Sequence, residues 1–488
     1  VLAGQLYGMQ RERYDAVVVG SGPNGLGAAI ELARSGLSVV VIEAKSTIGG
    51  GMRTSELTLP GYRHDVCSAI HPMGAGSHFL RSLPLERYGL EWIHPPTLAA
   101  QAMDDGTVQL LRSVEATARS LGVDEQRYLD LFAPLVKLWP NIEQDVLGPF
   151  GIPAHPIDYM RFGLRAPWPA APFLKLLFKN EYTRALLGGI AAHSTIPLEW
   201  MPSFSVAAVL TTVGHIHGWP LAKGGSQSIA DAMAAYLLDL GGEIVCDQSV
   251  SSLRQLPSSR LKLLDITPRQ FLAFPELGQE AQGWMAKLYR AQLGRFVHGP
   301  GSYKVDYALS GPIPWRDPEC LKAGTVHLGG TLAEISESER LVWEGKISKR
   351  PYVLVAQQSL FDSTRAPEGK HTCWAYCHVP HGYQESALEL LEAQIERFAP
   401  GFKETVLHRA TIDPQQMQAY NPNYIGGDIS GGAVLLRQLL TRPVVSLNPY
   451  ATPLDGVYLC SSSTPPGGGV HGICGYQSAR AALKWLRR

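Results

Sequence analysis

The sequence has no excess charge of either sign. Its 43 lysines and arginines balance 43 aspartates and glutamates, which removes the electrostatic case for a nucleic-acid partner. It has no Cys-x-x-Cys. Seven cysteines, at positions 67, 246, 320, 373, 377, 460 and 474, are scattered along the chain. Neither a zinc knuckle nor a thioredoxin-type redox pair is expected from them; they read as buried, reduced thiols of an intracellular, cytoplasmic protein. No run of about 18 apolar residues occurs, so no transmembrane helix is expected. The start lacks the continuous apolar core of a secretory signal, and "VLAGQLYG" ahead of Met9 is read as foreign to the fold. What the sequence does have is glycine and proline, 50 and 35 of 488 residues, in a chain that is 45% hydrophobic and 18% charged. That combination describes a loop-rich enzyme with length for two or three domains.

The stretch "YDAVVVGSGPNGLGAAIELARSGLSVVVIEAK" divides into three parts. Asp15 to Val19 predicts a short buried strand, Ala28 to Ser35 continues a helix, and Leu37 to Ala44 predicts a second buried strand. The first turn carries Gly20-x-Gly22-x-x-Gly25. In such a β-α-β unit Gly20 permits the tight turn, Gly22 lets backbone approach a pyrophosphate, and Gly25 lets the helix pack on the strand. Free N–H groups and the dipole at the helix start favour the phosphates. Glu43, followed by Ala44, ends the second strand where a carboxylate binds the ribose hydroxyls of an adenosine, and its charge argues against a 2′-phosphate. The alternative is a glycine-rich turn in an ordinary α/β domain. "STIGGGMRTSE" then sets Gly49, Gly50 and Gly51 before Arg53 and Thr54. This is either a second bare-backbone loop, suited to the far side of a diphosphate or a flavin side chain, or a surface turn with a solvated arginine.

Two later blocks belong with these. "GWPLAKGGSQSIADAMAAYLLDLGGEIVCDQSV", Gly218 to Val250, predicts an amphipathic helix carrying Ile229, Met233, Leu237 and Leu240, a stop at Gly241-Gly242, and a strand. "LDGVYLCSSSTPPGGGVHGICGYQSARAAL", ending at Leu483, predicts a strand from Val457 to Cys460 beside the first strand, a glycine loop, and a final helix. Three consecutive glycines carry a large entropy cost, so bare backbone must be needed at Gly467, Gly468 and Gly469.

With its three blocks, Gly20 to Arg53, Gly218 to Val250 and the C-terminal stretch, the chain resembles the phytoene-desaturase-like FAD-dependent oxidoreductases, relatives of the flavin amine oxidases. Within them it is most similar to the pyridine nucleotide-disulphide oxidoreductase domain branch. It lacks the Cys-x-x-x-x-Cys pair that such a name implies, so disulphide chemistry is not expected. The resemblance implies a Rossmann-type α/β FAD-binding domain with a parallel sheet built from discontinuous segments, 9–79, 216–274 and 441–488. It also implies a substrate domain of antiparallel sheet and helical cap over 80–215 and 275–440. It implies that Gly50, Gly51 and Arg53 approach the cofactor and that the backbone of Val250 contacts the adenine, unless Val250 is plain core. Ser462 would sit near the ribityl chain or pyrophosphate. Gly468, Gly469 and Val470 would line the flavin because a flat ring packs directly on backbone. The final helix would aim its N-terminus at the ring. His471 would lie close to the ring, facing flavin or substrate, or simply bond a loop carbonyl. The Gly224-Gly225 turn is either near the substrate cavity or a helix entry.

The first insert, with "APWPAAPFL" and "LKLLFKNEYTRALLGGIAAH", reads as helices joined by proline-rich turns. The second carries strand-like runs, "SYKVDYAL", "GTVHLGG", "YVLVAQQSLF" and "HTCWAYCHV". His64, Asp65 and His71 in "GYRHDVCSAIHPMG" either transfer protons beside the flavin or stabilise a loop. His215 and His217 alternate as on a strand, but no third ligand stands out, so no metal site is expected. Lys304 is either a buried lysine of the amine-oxidase type or an ion-pair partner of Asp306. No second G-x-G-x-x-G in a strand–turn–helix is visible, so electrons are expected to enter from the organic substrate and leave to oxygen or a quinone.

The reading is an FAD-dependent dehydrogenase or desaturase of an apolar, carotenoid- or polyene-like substrate, with hydride passing to flavin N5. Catalytic candidates are His471, His71 and His64. The alternatives are a flavin amine oxidase, a redox-neutral flavin isomerase, and a flavoprotein scaffold without turnover. Arg161 to Lys179 mixes basic and apolar residues and suits either a lipid surface or a cap or homodimer contact.

Overall fold

The computed structural model describes residues 11–487; the segment ahead of Met9, read above as foreign, lies outside them. Two sheets organise the chain. The first has five parallel strands in the spatial order Val457–Leu459, Ser258–Leu264, Arg13–Val19, Val39–Ile42, Glu243–Val245. Its central valine-rich strands are buried, as a parallel sheet covered on both faces requires. The helix Pro23–Arg34 starts with proline at a position where no amide hydrogen is needed. It packs between the helices Gln227–Asp239 and Ile473–Leu486. Contact with the last helix is backbone on backbone: a Cβ on Gly475 would lie 1.7 Å from the Asn24 carbonyl oxygen.

The expected β-α-β unit is present with a shorter second strand. The expected neighbour of the first strand is not. Val457–Leu459 pairs with Ser258–Leu264, which itself lies against Arg13–Val19. The sequence "SSRLKLL" hides this strand, because its first three residues are not buried and it carries Arg260 and Lys262.

The second sheet has seven strands, in the order Val406–Ile412, Gly301–Leu309, His371–Val379, Val353–Ala356, Ala323–Leu328, Thr97–Met103, Gly106–Leu110. The expectation of an antiparallel sheet needs one correction: Ala323–Leu328 runs parallel to Thr97–Met103. Two strands thus come from the first insert, which the sequence presents as helical. Thr97–Met103 reads TLAAQAM, rich in helix formers, and is buried at every position; tertiary burial overrides propensity.

Register sorts this sheet into two faces. On one, Ala100, Val326, Val355, Ala375 and Val305 pack with Leu391, Ile395 and Phe398 of the helix Leu388–Phe398. On the other, Gln101, His327, Leu354, Tyr376 and Lys304 form one cross-strand row, and Ala99, Thr325, Ala356, Trp374 and Asp306 the next. This second face looks toward the first sheet. The helices Glu181–Ala192 and Ser203–His217 flank it, and they pack on each other. His215 and His217 lie on the latter helix, not on a strand. Two positions apart on a helix, they point away from each other. His215 bonds the Tyr128 hydroxyl at 2.8 Å and the Arg112 carbonyl at 3.0 Å, while His217 lies 3.2 Å from Arg81.

Candidate active site

A cavity of about 460 Å³ joins the ends of the parallel strands to the polar face of the second sheet. Gly20, Gly22, Glu43, Ala44, Gly50, Gly51, Arg53, Val250, Ser462, Gly468, Gly469 and Val470 all line it. Gly25 lies just behind the wall. A Cβ there would fall 2.0 Å from the Gly20 carbonyl oxygen, which is why the turn closes only on glycine. The helix Pro23–Arg34 begins at the wall, so its dipole favours an anion in the cavity. The Gly224-Gly225 turn is the entry to the helix Gln227–Asp239 and does not line the cavity.

Glu43 is 6% exposed and already holds four donors. Its Oε2 accepts from the Ser21 amide at 2.9 Å and the Ser21 hydroxyl at 2.5 Å. Its Oε1 accepts from the Lys45 amide at 2.9 Å and from Arg53 at 3.2 Å. Arg53 is buried rather than solvated: it also donates to the Thr47 carbonyl and sits over the Tyr420 ring. These two side chains tie the first glycine turn to the second.

Asp265, just past the end of Ser258–Leu264, was not singled out by the sequence. It accepts a hydrogen bond from the Gly25 amide at 3.1 Å. A Cβ on Gly22 would meet its Oδ2 at 3.0 Å, so the second glycine of the motif makes room for this carboxyl. Burial pushes its pKa up to about 7; the Gly25 hydrogen bond pulls it down and the Glu43 charge adds to the rise. Only recognition of its strand would have disclosed it.

The C-terminal glycines have reasons within the protein. Gly467 and Gly469 have φ of 121° and 132°, conformations side chains disfavour. A Cβ on Gly468 would meet the Ser430 carbonyl at 2.7 Å. The expectation that bare backbone serves only a flat ring is thus incomplete, since the chain itself requires all three. Below them lies Arg442, buried and likewise unanticipated. Its guanidinium donates to the carbonyls of Gly431 and Ser462, at 2.9 and 2.8 Å. The Ser462 hydroxyl accepts from Asn24 at 3.2 Å, linking this loop to the first turn.

None of the three candidate histidines lines the cavity. The Ile473 amide donates to His471 Nδ1 at 3.0 Å, so Nε2 carries the hydrogen and donates to the Gly467 carbonyl at 3.2 Å. Burial lowers the His471 pKa to about 4. His71 Nε2 lies 2.8 Å from the Ser226 hydroxyl, which donates its own hydrogen to the Ser68 carbonyl. His71 therefore donates through Nε2 and is neutral, held at about 4 by burial. His64 bonds Thr58 at 2.7 Å, and burial followed by the Lys304 charge lowers it to about 3. Lys304 pairs with Asp306 on one strand face and does not line the cavity. Asp65 binds Arg365, Thr54 and the Ser226 amide, so it fastens the turn Ser363–Arg365 to the entry of the helix Gln227–Asp239.

The wall nearest the second sheet comprises Thr325, Leu354, Trp374 and Tyr376, with Trp219, Leu210 and His193 from the helical side. His193 ends a segment the sequence reads only as helix; its ring is 3.0 Å from His327. All seven cysteines are free.

Residues 18–83 match the NAD(P)-binding Rossmann-like domain family. Over 98% of its length the chain is 24% identical to the mouse pyridine nucleotide-disulfide oxidoreductase domain-containing protein 2, spanning 95% of that protein. Over 94% of its length it is 24% identical to the neurosporene-forming phytoene desaturase of Rhodobacter capsulatus, spanning 92% of it. A double mutant of putrescine oxidase shares the fold, with a TM-score of 0.61, 17% identity, and coverage of 98% of this chain and 99% of that one. The resemblance to phytoene-desaturase-like oxidoreductases with a Rossmann-type nucleotide unit is borne out.

Proposed function

We propose that this oxidoreductase binds FAD along the cavity and oxidises an organic substrate held against the second sheet. One observation carries the reading: a single cavity joins the Gly20–Asn24 turn and Glu43 to the Gly468–Val470 loop, and then to the wall of Trp219, Leu354, Trp374 and Tyr376. The residues present fit the cofactor. The helix start beside Gly22 suits its diphosphate, Glu43 its ribose hydroxyls, Val250 its adenine, and the Gly468–Val470 backbone its ring. When bound, FAD supplies a two-electron acceptor. The protein's part is to orient the substrate and exclude water with its apolar and aromatic wall. The FAD unit is assigned to 9–79, 216–274 and 441–488, and the substrate unit to 80–215 and 275–440.

The lining supports a substrate with a largely apolar body, a polyene or similar; oxygen or a quinone is proposed as the final acceptor. A second reading, amine oxidation, is supported by Trp374 and Tyr376, whose rings meet edge to face at 5.0 Å on the wall, an arrangement that suits a cation. Residues 156–179 suit a lipid surface: no residue of the helix Pro156–Gly163 is buried, and Ile157, Met160, Leu164, Trp168 and Leu176 are exposed beside Arg161, Arg165 and Lys175.

The absorbance of the purified protein tests the core of this. Flavin bands that pass to the supernatant on heat denaturation, identified as FAD, are expected. A colourless protein that FAD cannot reconstitute would sink the reading. Anaerobic bleaching of those bands by a polyene rather than by putrescine then separates the two substrate classes.

A further inference from the structure

We propose that His193 is a substrate-recognition residue, a hydrogen-bond acceptor selecting a substrate that carries a hydroxyl or N–H donor on an otherwise apolar body. The inference deepens the oxidoreductase reading and rests on it for the identity of the cavity. His193 follows the helix Glu181–Ala192, is half-buried, and lines the cavity. Its Nε2 is engaged by His327 Nε2 at 3.0 Å. Its Nδ1 has no hydrogen-bond partner among the described residues and is not among the fully enclosed unpartnered atoms, on a residue that lines the cavity.

The location of the hydrogens is decided one layer deeper. His327 is fully buried, and its register partner on the parallel strand is Gln101, on the same face. His327 Nδ1 and Gln101 Oε1 are both buried without a partner. A Cβ on Gly189 would lie 2.9 Å from the first and 2.4 Å from the second, so both atoms border one patch of bare backbone. The Gln101 amide nitrogen donates to the Gly330 carbonyl at 3.2 Å, which fixes Oε1 as the end turned to this patch. An acceptor beside a ring nitrogen favours hydrogen on that nitrogen. His327 then carries its hydrogen on Nδ1 and accepts through Nε2. His193 must donate through its own Nε2, and its Nδ1 lone pair is left facing the cavity. Gln101 and His327 are positioning residues in this chain.

The surroundings make that lone pair selective. Trp219 stands edge-on to the His193 ring at 5.9 Å, and Leu354 lies on the same wall. Burial holds His193 down at about 3, so the ring is neutral and its lone pair is available. A pure hydrocarbon would cover this acceptor without satisfying it. A site built around a buried hydrogen-bonding group rejects the analogue that lacks the matching group. The expectation of a wholly apolar substrate is thereby narrowed.

Two measurements test this. Nitrogen magnetic resonance of the histidine-labelled protein, with His193 assigned by its loss in His193→Gln, should show a bare Nδ1 and a protonated Nε2. The opposite tautomer overturns the proposal. Gln101→Leu, which leaves the cavity wall intact, should mix the two tautomers, and an unchanged ratio overturns the relay; His193→Phe identifies the resonance should His193→Gln fail to fold. In the flavin-loaded protein, difference spectra should show farnesol binding at least about fivefold more tightly than farnesene, the equivalent of one hydrogen bond. That gap should close in His193→Phe. Equal affinities, or no binding of either compound, overturn the recognition role. A protein that takes up no flavin counts against the FAD reading instead, while the tautomer measurement still decides this one.

Discussion

Asp265 and Glu43 are two carboxyls on one cavity wall with opposite duties. Glu43 accepts four hydrogen bonds within the protein, which fix its carboxylate at the wall without closing it to a further donor. Glu43→Gln removes the charge that holds Arg53 and should weaken FAD by about 1–3 kcal/mol, the cost of leaving buried partners imperfectly paired. Fluorescence titration of the apoprotein checks this, and unchanged affinity would remove Glu43 from the ribose. Asp265 has a folded pKa of about 7 against an ordinary 3.8. The folded state therefore holds its proton more tightly than the unfolded chain. The associated stability is full below the ordinary value and is lost as pH climbs through about 7. Asp265→Asn keeps an acceptor for the Gly25 amide and cannot ionise. Its melting temperature should gain on the parent between about pH 5 and about pH 8, and its FAD affinity should exceed the parent's at the upper pH. A difference that does not depend on pH would refute the assignment. The glycines of this site were legible because backbone spacing shows in a sequence. Asp265 and His193 were not, because each acquires its setting from a strand far away in the chain.

At the scale of elements, what could be read followed burial. The valine-rich strands and the periodic helix Gln227–Asp239 announce themselves. Ser258–Leu264 does not, since it carries Arg260 and Lys262, and Thr97–Met103 does not, since alanine-rich sequence speaks for helix until a neighbouring strand claims it. The contact between the helices Pro23–Arg34 and Ile473–Leu486 supplies the test at this scale. Gly475→Ala would drive a Cβ to within 1.7 Å of the Asn24 carbonyl. The helices must separate, which should cost about 1–3 kcal/mol, as overpacking does. Asn24 lines the cavity, so FAD retention should fall together with the melting temperature. A fully stable variant that retains its flavin would show that the last helix accommodates the methyl group.

For the molecule as a whole, charge is balanced while apolar exposure is not. Along the helix Pro156–Gly163 and just beyond it, Ile157, Met160 and Leu164 recur at helical spacing and are exposed. No helix among the described residues is long and apolar enough to cross a membrane. The protein should float with anionic vesicles, and a variant combining Ile157→Asp and Leu164→Asp should remain at the bottom of the gradient. Failure of the parent to float would sink the docking surface and return these residues to a contact between chains.

The parallel sheet also sets an order of events. Its strands Arg13–Val19 and Val39–Ile42 leave the ribosome about four hundred residues ahead of the edge strand Val457–Leu459 and the helix that touches Asn24. Until then the growing chain has a glycine turn with half of its walls. Cofactor capture can therefore begin only once the chain has been made through that helix. A chain cut short just before that helix would hold the other walls of the cavity and no colour, so the yellow of a bound flavin would report that synthesis had passed it.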